Sequence, residues 1–192
     1  MRDLGRIVRL QIQRGSLKTG EKPNRAYDPA PLLCVERLAV GPDGALGQSP
    51  DGSWLVDVHH RAHPVTKNPD GVHGLSLGFT SHYALMRERF GNRIALGCAG
   101  ENIIVETEGR IAIEQLEGGV ALVGRDGRAI ARLDVLQVAH PCRPFSGWAL
   151  GGRVEHEVLK ETLQFLDGGT RGFYCKGVGS GIVAAGDRVV AL

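Results

Sequence analysis

The chain is poor in the residues that usually announce a metal knuckle, a membrane span or a nucleic-acid surface. Its 192 residues include only four cysteines, Cys34, Cys98, Cys142 and Cys175, and no two of them stand in Cys-x-x-Cys spacing. That argues against a zinc knuckle and against a thioredoxin-type redox motif. No apolar run is long enough to span a bilayer, and the N-terminus lacks the apolar core of a signal peptide. The expectation is a cytoplasmic chain with reduced thiols and no membrane partner. A net charge of +2 leaves no electrostatic footprint for nucleic acid. Internal repeats and low-complexity segments are absent as well. At this length a single domain over residues 1–192, with a real core, is expected.

What the chain does have is turn formers. It carries 28 glycines and nine prolines, which suits a β-rich domain better than a helical bundle. Arg6 to Gln13 alternates, with Val8, Leu10 and Ile12 on one face, and reads as a half-buried strand. Residues 15–31 read as a polar loop, residues 32–40 and 54–58 as strands, and Gly41-Pro42-Asp43-Gly44 as a turn. Asp126-Gly127 between two apolar runs, residues 119–124 and 128–138, is a hairpin signal. Closing strands are expected over residues 172–178 and 188–192. Helices are expected over residues 81–90, with Thr80 as N-cap and Gly91 as stop, and over residues 154–166. There is no βαβ alternation. The fold class expected is mainly β, an antiparallel barrel with a few peripheral helices.

The chemistry-bearing stretch runs from Gln137 to Trp148. His140, Cys142 and Arg143 fall within four positions, pinned by Pro141 and Pro144. The prolines predict a stiff turn. A thiol between an imidazole and a guanidinium is expected to favour thiolate, the form that attacks sulfur and binds soft metals. Cys142 is therefore expected to be partly exposed and reactive, and Cys34, in a strand pattern, to be buried and inert. His59 and His63 have helical ligand spacing, but the segment reads as extended, which puts them roughly 13 Å apart. Gly177-Val178-Gly179-Ser180-Gly181 resembles a phosphate loop in composition, yet a strand pattern follows it, so a turn is the reading.

Four segments in order resemble the MOSC family, named for the C-terminal domain of molybdenum cofactor sulfurases. They are Asp57-Val58-His59-His60, then Gly100-Glu101-Asn102-Ile103, then His140-Pro141-Cys142, and lastly Arg171-Gly172-Phe173-Tyr174 with the closing Gly186-Asp187. The match runs from about residue 30 to the C-terminus. The resemblance implies a β-barrel that binds the pterin molybdenum cofactor, with Cys142 as metal ligand and catalytic thiolate. Asn102, His60, Arg171 and Lys176 would line the pterin phosphate, and His140 and Arg143 would tune the thiolate. Cys142, Asn102 and one of His59 and His60 are expected to share a pocket. The activity implied is reduction of N-hydroxylated compounds with electrons from a separate flavin or iron–sulfur protein. The alternative is a non-catalytic carrier whose Cys142 holds sulfur delivered by a cysteine desulfurase. The desulfurase's pyridoxal phosphate would belong to that partner and not be bound here. A third reading is a barrel that has lost the chemistry and only binds a partner.

Overall fold

The computed structural model describes residues 1–152 and 155–192. In chain order the strands are β1 (Arg2–Gln13), β2 (Lys18–Thr19), β3 (Ala26–Tyr27), β4 (Leu32–Val35), β5 (Arg37–Gly41), β6 (Gly44–Gln48), β7 (Trp54–Val56) and β8 (Leu75–Phe79). Helix α1 (Thr80–Phe90) precedes β9 (Ile103–Val105), β10 (Val120–Val123) and β11 (Ala129–Val138). Helices α2 (Arg143–Ala149) and α3 (His156–Leu166) lead to β12 (Phe173–Val178), β13 (Gly181–Ala184) and β14 (Arg188–Ala191). Val154, where the second helix is expected to start, lies outside the described residues.

Seven strands close into a barrel in the order β1, β14, β10, β11, β12, β8, β9 and back to β1, with β4 added against the far half of β1. Closure removes the free edges an open sheet would expose. The Asp126-Gly127 hairpin forms as read, pairing Val120 with Leu133. One pairing departs from the antiparallel expectation. β8 and β9 run parallel, Leu77 opposite Ile103, with α1 as the crossover between them. The barrel thus contains one βαβ unit, the connection that parallel strands require. A second sheet, β13-β5-β6-β7, and the two-stranded hairpin β2–β3 flank the barrel. The single strand read over residues 32–40 is in fact two, which part after Val35 and join different sheets.

The shared face read for Val8, Leu10 and Ile12 is broken. Val8 is exposed while Ile7 is buried, because the register of β1 against β9 shifts between Ile7 and Arg9. A bulge adds one residue and so reverses the faces on one side of it. Cys34 also departs from expectation, being exposed on β4. Alternation turns it outward, while Val35 turns into the core.

Two apolar clusters hold the molecule. One fills the barrel, with Leu38, Leu75, Leu77, Phe79, Ile103, Leu133 and Phe173 among its members. The other lies outside the wall. It joins Tyr83 and Met86 of α1, Phe145 and Ala149 of α2 and Leu166 of α3 to Tyr27 of the β2–β3 hairpin. That outer cluster is what holds the hairpin and α2 beside the same end of the barrel. No helix among the described residues is long and apolar enough to cross a membrane.

His82, on the inner face of α1, is almost fully buried, with its ring centroid 5.2 Å from that of Phe79, and its Nε2 accepts the Ile111 N–H at 3.0 Å. Burial, with the Arg110 charge, pushes its pKa down from 6.5 to about 4. The fold therefore takes up a proton on this group less readily than the unfolded chain does. Its contribution to stability is complete above about pH 6.5 and is lost as the pH falls towards 4. A loss of about 3 kcal/mol across that window is expected, and His82→Gln should remove it. Urea unfolding between pH 7 and pH 4 measures both.

Candidate functional site

At the end of the barrel where β1 finishes and β12 begins lies a cleft of about 350 Å³. Six segments distant in sequence build it: Gln13 to Lys18, Arg25 and Tyr27 of the hairpin, Val58 to Lys67 after β7, Ala99, His140, and Arg171 with Tyr174. Its lining contains Lys18, Arg25, Lys67, Arg171, His59 and His140, and no carboxylate. Such a lining favours an anionic ligand.

Arg171 is the best anchored of these. Its Nη2 donates to the Ala99 carbonyl at 3.1 Å and its Nη1 to the His140 carbonyl at 3.3 Å. The guanidinium lies 4.3 Å above the Phe145 ring, an attractive cation–π geometry. Burial works against its charge, but the nearby Cys142, Tyr27, Tyr174 and Glu101 groups together hold its pKa above the ordinary guanidinium value. Gly172, at φ +87°, turns the chain directly after it, and a Cβ there would overlap the Leu77 carbonyl oxygen.

Cys142 lies next to this guanidinium, with its Sγ 3.8 Å from Arg171 Nη1. It is half-buried, and it ends the extended segment just before α2. The Pro-Cys stretch is thus not only a turn. Pro144 falls in the first turn of α2, where its missing N–H costs nothing. The cations expected beside the thiol are elsewhere. Arg143 is exposed at the first position of α2, and His140 Nδ1 faces Asp167 Oδ1 at 3.3 Å. Arg171, 29 residues on, takes that place.

Burial pushes the Cys98 thiol up to about 12 and that of Cys175 higher still, so neither supplies thiolate near neutral pH. Burial likewise raises the pKa of Tyr27, whose hydroxyl donates to the Cys98 carbonyl at 2.6 Å. Tyr27 packs edge-on to Phe145, with ring centroids 5.0 Å apart, and so ties the hairpin to the helix that follows Cys142. Behind Arg171, burial raises the pKa of Glu101, and Tyr83 Oη donates to its carboxylate at 2.6 Å.

Of the paired histidines, His59 lines the cleft, whereas His60 lines a separate groove beside Asp43 and Ser180. His59 is held by Asp57, a fully buried carboxylate that receives His59 Nδ1 at 3.0 Å and the His59 N–H at 2.8 Å. That contact assigns the proton to Nδ1 and leaves Nε2 for the cleft. Asn102 does not line the cleft, and neither does Lys176, which sits two residues beyond Tyr174 on the same face of β12. The Asn102 side chain is spent inside the wall. Nδ2 donates to Asp57 Oδ2 at 3.1 Å and to the Gln11 carbonyl at 3.2 Å, and Oδ1 accepts from Ser76 Oγ at 3.0 Å. The structure therefore gathers His59, His140, Arg171 and, behind Arg171, Cys142. It leaves His60, Arg143 and Lys176 outside the cleft.

Lys18, Arg25, Tyr27 and Lys67 escape sequence reasoning, because they fall in segments with only loop character. Among the described residues Arg25 Nε and Arg171 Nε are buried without a hydrogen-bond partner, and both residues line the cleft. Buried donors are normally paired, so these two mark where a ligand's acceptors fit.

Asn102→Ala would leave the buried Asp57 carboxylate and the Ser76 hydroxyl each short of a partner. We expect a loss of about 2–4 kcal/mol in unfolding free energy, measured with urea, because buried polar groups are expensive to leave unpaired.

A sequence model described as MOSC domain matches residues 75–190 of the chain. No curated protein matches its sequence. Among solved structures, the YuaD protein from Bacillus subtilis superposes with a TM-score of 0.57 at 13% identity, covering 98% of this chain and 94% of that one. YiiM from Geobacillus stearothermophilus gives 0.55 at 16% identity, over 97% of this chain and 74% of that one. YiiM from Escherichia coli gives 0.55 at 15% identity, over 97% and 69%. At these identities the structures establish a shared fold, and the sequence match extends over more than half of the chain. The chain belongs to the MOSC domain family, a family tied to molybdenum cofactor binding.

Proposed function

We propose that the chain binds the molybdenum cofactor through the Cys142 thiolate and reduces N-hydroxylated compounds, with electrons from a separate flavin or iron–sulfur protein. The observation that carries this reading is the guanidinium of Arg171, a residue of the cleft lining, which stands beside the Cys142 sulfur and has a buried Nε without a protein partner. A soft donor for a metal and a hydrogen-bond donor for an anion thus meet at one side chain. The residues fit a pterin phosphate that carries a thiophilic metal. No group of three or more His, Cys, Asp or Glu among the described residues could hold an ion by itself. A pterin dithiolate would supply most of the coordination, with Cys142 as a single protein ligand.

Bound in this way, the cofactor supplies the redox-active metal. The chain's own residues do the rest. Arg171 holds the ligand's acceptors beside the sulfur, and Lys18, Arg25 and Lys67 offset anionic charge at the mouth. Reducing an N–OH group to N–H takes two electrons and two protons and releases water. His59 lines the cleft with its Nδ1–H bound to Asp57, so its Nε2 would first take up a proton from solvent and then pass it to the departing oxygen. The four free thiols suit a cytoplasmic site of action.

The test is the molybdenum and pterin content of the full chain purified from cells that make the cofactor. Cys142→Ser should retain at most about a tenth of the parent's molybdenum while keeping its fold by circular dichroism, because a hydroxyl is a hard, weakly acidic ligand. Equal molybdenum in parent and variant would remove Cys142 as the ligand. The sulfur-carrier reading would then take its place.

A further inference from the structure

Tyr83 is fully buried on α1, outside the cleft lining. Its Oη accepts the Ala99 N–H at 3.1 Å and donates its single proton to Glu101 Oε2 at 2.6 Å. That length fits a hydroxyl bound to an ionised carboxylate. Both residues it binds bear on Arg171. The Ala99 carbonyl accepts Arg171 Nη2 at 3.1 Å, and the Glu101 side chain packs against Gly172, the residue after Arg171.

Glu101 is only 3% exposed and has few donors around it. Glycine lies on two sides. A Cβ on Gly78 would sit 2.9 Å from Glu101 Cδ, and one on Gly172 would sit 3.0 Å from its Cγ. Among the described residues Tyr83 is the side chain that hydrogen-bonds this carboxylate, and Glu101 enters no salt bridge. Burial pushes its pKa up, and the bond from Tyr83 is the strongest of the effects that pull it back down. The cations that act on it are Arg171 and then Arg9. Arg9 Nε is engaged by Gln11 Oε1 at 2.7 Å, so Arg171 is the group a bare carboxylate would draw. Arg171 is also the group beside the thiol, with Nη1 3.8 Å from Cys142 Sγ. One guanidinium thus stands between two acids. A buried carboxylate left without a donor is costly, and it competes for the nearest cation.

We propose that Tyr83 is a positioning residue for the thiol: its hydroxyl satisfies Glu101 and holds the Ala99 segment, and so leaves the Arg171 guanidinium to Cys142. It acts through Ala99, Glu101 and Arg171 and does not touch the sulfur itself. The proposal rests on the reading of Cys142 as the functional thiolate and requires nothing of the metal.

The test is the rate of Cys142 alkylation by iodoacetamide as a function of pH, on the full chain purified from cells unable to make the cofactor. Cys34 is exposed and would react as well, so every variant also carries Cys34→Ser. Tyr83→Phe keeps the ring and deletes the hydroxyl. It should slow alkylation at pH 7 about five-fold or more and move the pH profile upwards, because the thiolate loses its nearby cation. Adding Glu101→Gln should bring the rate back to within about two-fold of the parent, since an amide has no charge with which to hold the guanidinium. A hydroxyl that only supported packing would give no such rescue, because a second change in the same cluster would add to the damage. Glu101→Gln alone keeps an acceptor for Tyr83, and it should leave the profile in place or move it to lower pH. That variant decides the matter if Tyr83→Phe fails to fold by circular dichroism. An unchanged rate in a folded Tyr83→Phe, no rescue in the double variant, or slower alkylation in Glu101→Gln overturns the proposal. The readout is taken on cofactor-free chain, so failure of Cys142 as the metal ligand would show in molybdenum content and not here.

Discussion

The cleft depends on a polar cluster buried in the barrel wall. Asn102 bridges the Gln11 carbonyl of β1, Ser76 of β8 and the carboxylate of Asp57. Asp57 in turn receives the Gln13 N–H at 2.7 Å and fixes His59. Asn102, Ser76 and Asp57 are buried, and inside a protein an unpaired polar group is far costlier than a paired one. The cluster therefore allows one arrangement of four segments, the end of β1, the start of the loop after β7, β8 and the entry to β9. It contributes no atom to the cleft lining except through Gln13 and His59. Its part in function is to keep the wall where the ligand needs it.

The second constraint is the cost of holding a cation in a partly dry place. Arg171 tolerates it because carbonyl oxygens, an aromatic face and a thiol surround the guanidinium. Lysine could not take this place, since an ammonium lacks the planar fork that spans Ala99, His140 and the sulfur together. The outer apolar cluster does the mechanical work. Tyr27 packs against Phe145 and Trp148, which ties the hairpin bearing Lys18 and Arg25 to the helix following Cys142. The hairpin cations of the cleft and the thiol behind Arg171 are thereby tied together, although more than a hundred residues separate them.

Much of the frame is legible in the residues. Asp126-Gly127 specifies its hairpin, Gly91 stops α1, and a helix forms over His156–Leu166 with Leu166 turned inward, because turn chemistry and periodicity are local properties. The order of the four motif segments likewise points to the family and to Cys142. What local reasoning misses is consistent in kind. Val8 faces out and Ile7 in because one bulge in β1 reverses the alternation. Cys34 is exposed because a period of two says which residues share a face and not which face meets the core.

The chain's sequence by itself determined the β-rich class, the helices, the hairpin and the thiol after Pro141. Only the tertiary structure decided which charges stand beside that thiol. Proximity in sequence favoured His140 and Arg143, but the start of α2 turns Arg143 to solvent and Asp167 takes up His140. Barrel closure brings Arg171 to the sulfur instead, and puts His59, not His60, in the cleft. The physical reason is that a binding site is a property of distance in space. Distance in space depends on long-range strand pairing, such as β8 beside β9 and β12, and on clusters such as Asn102 with Asp57, which no local pattern of residues encodes.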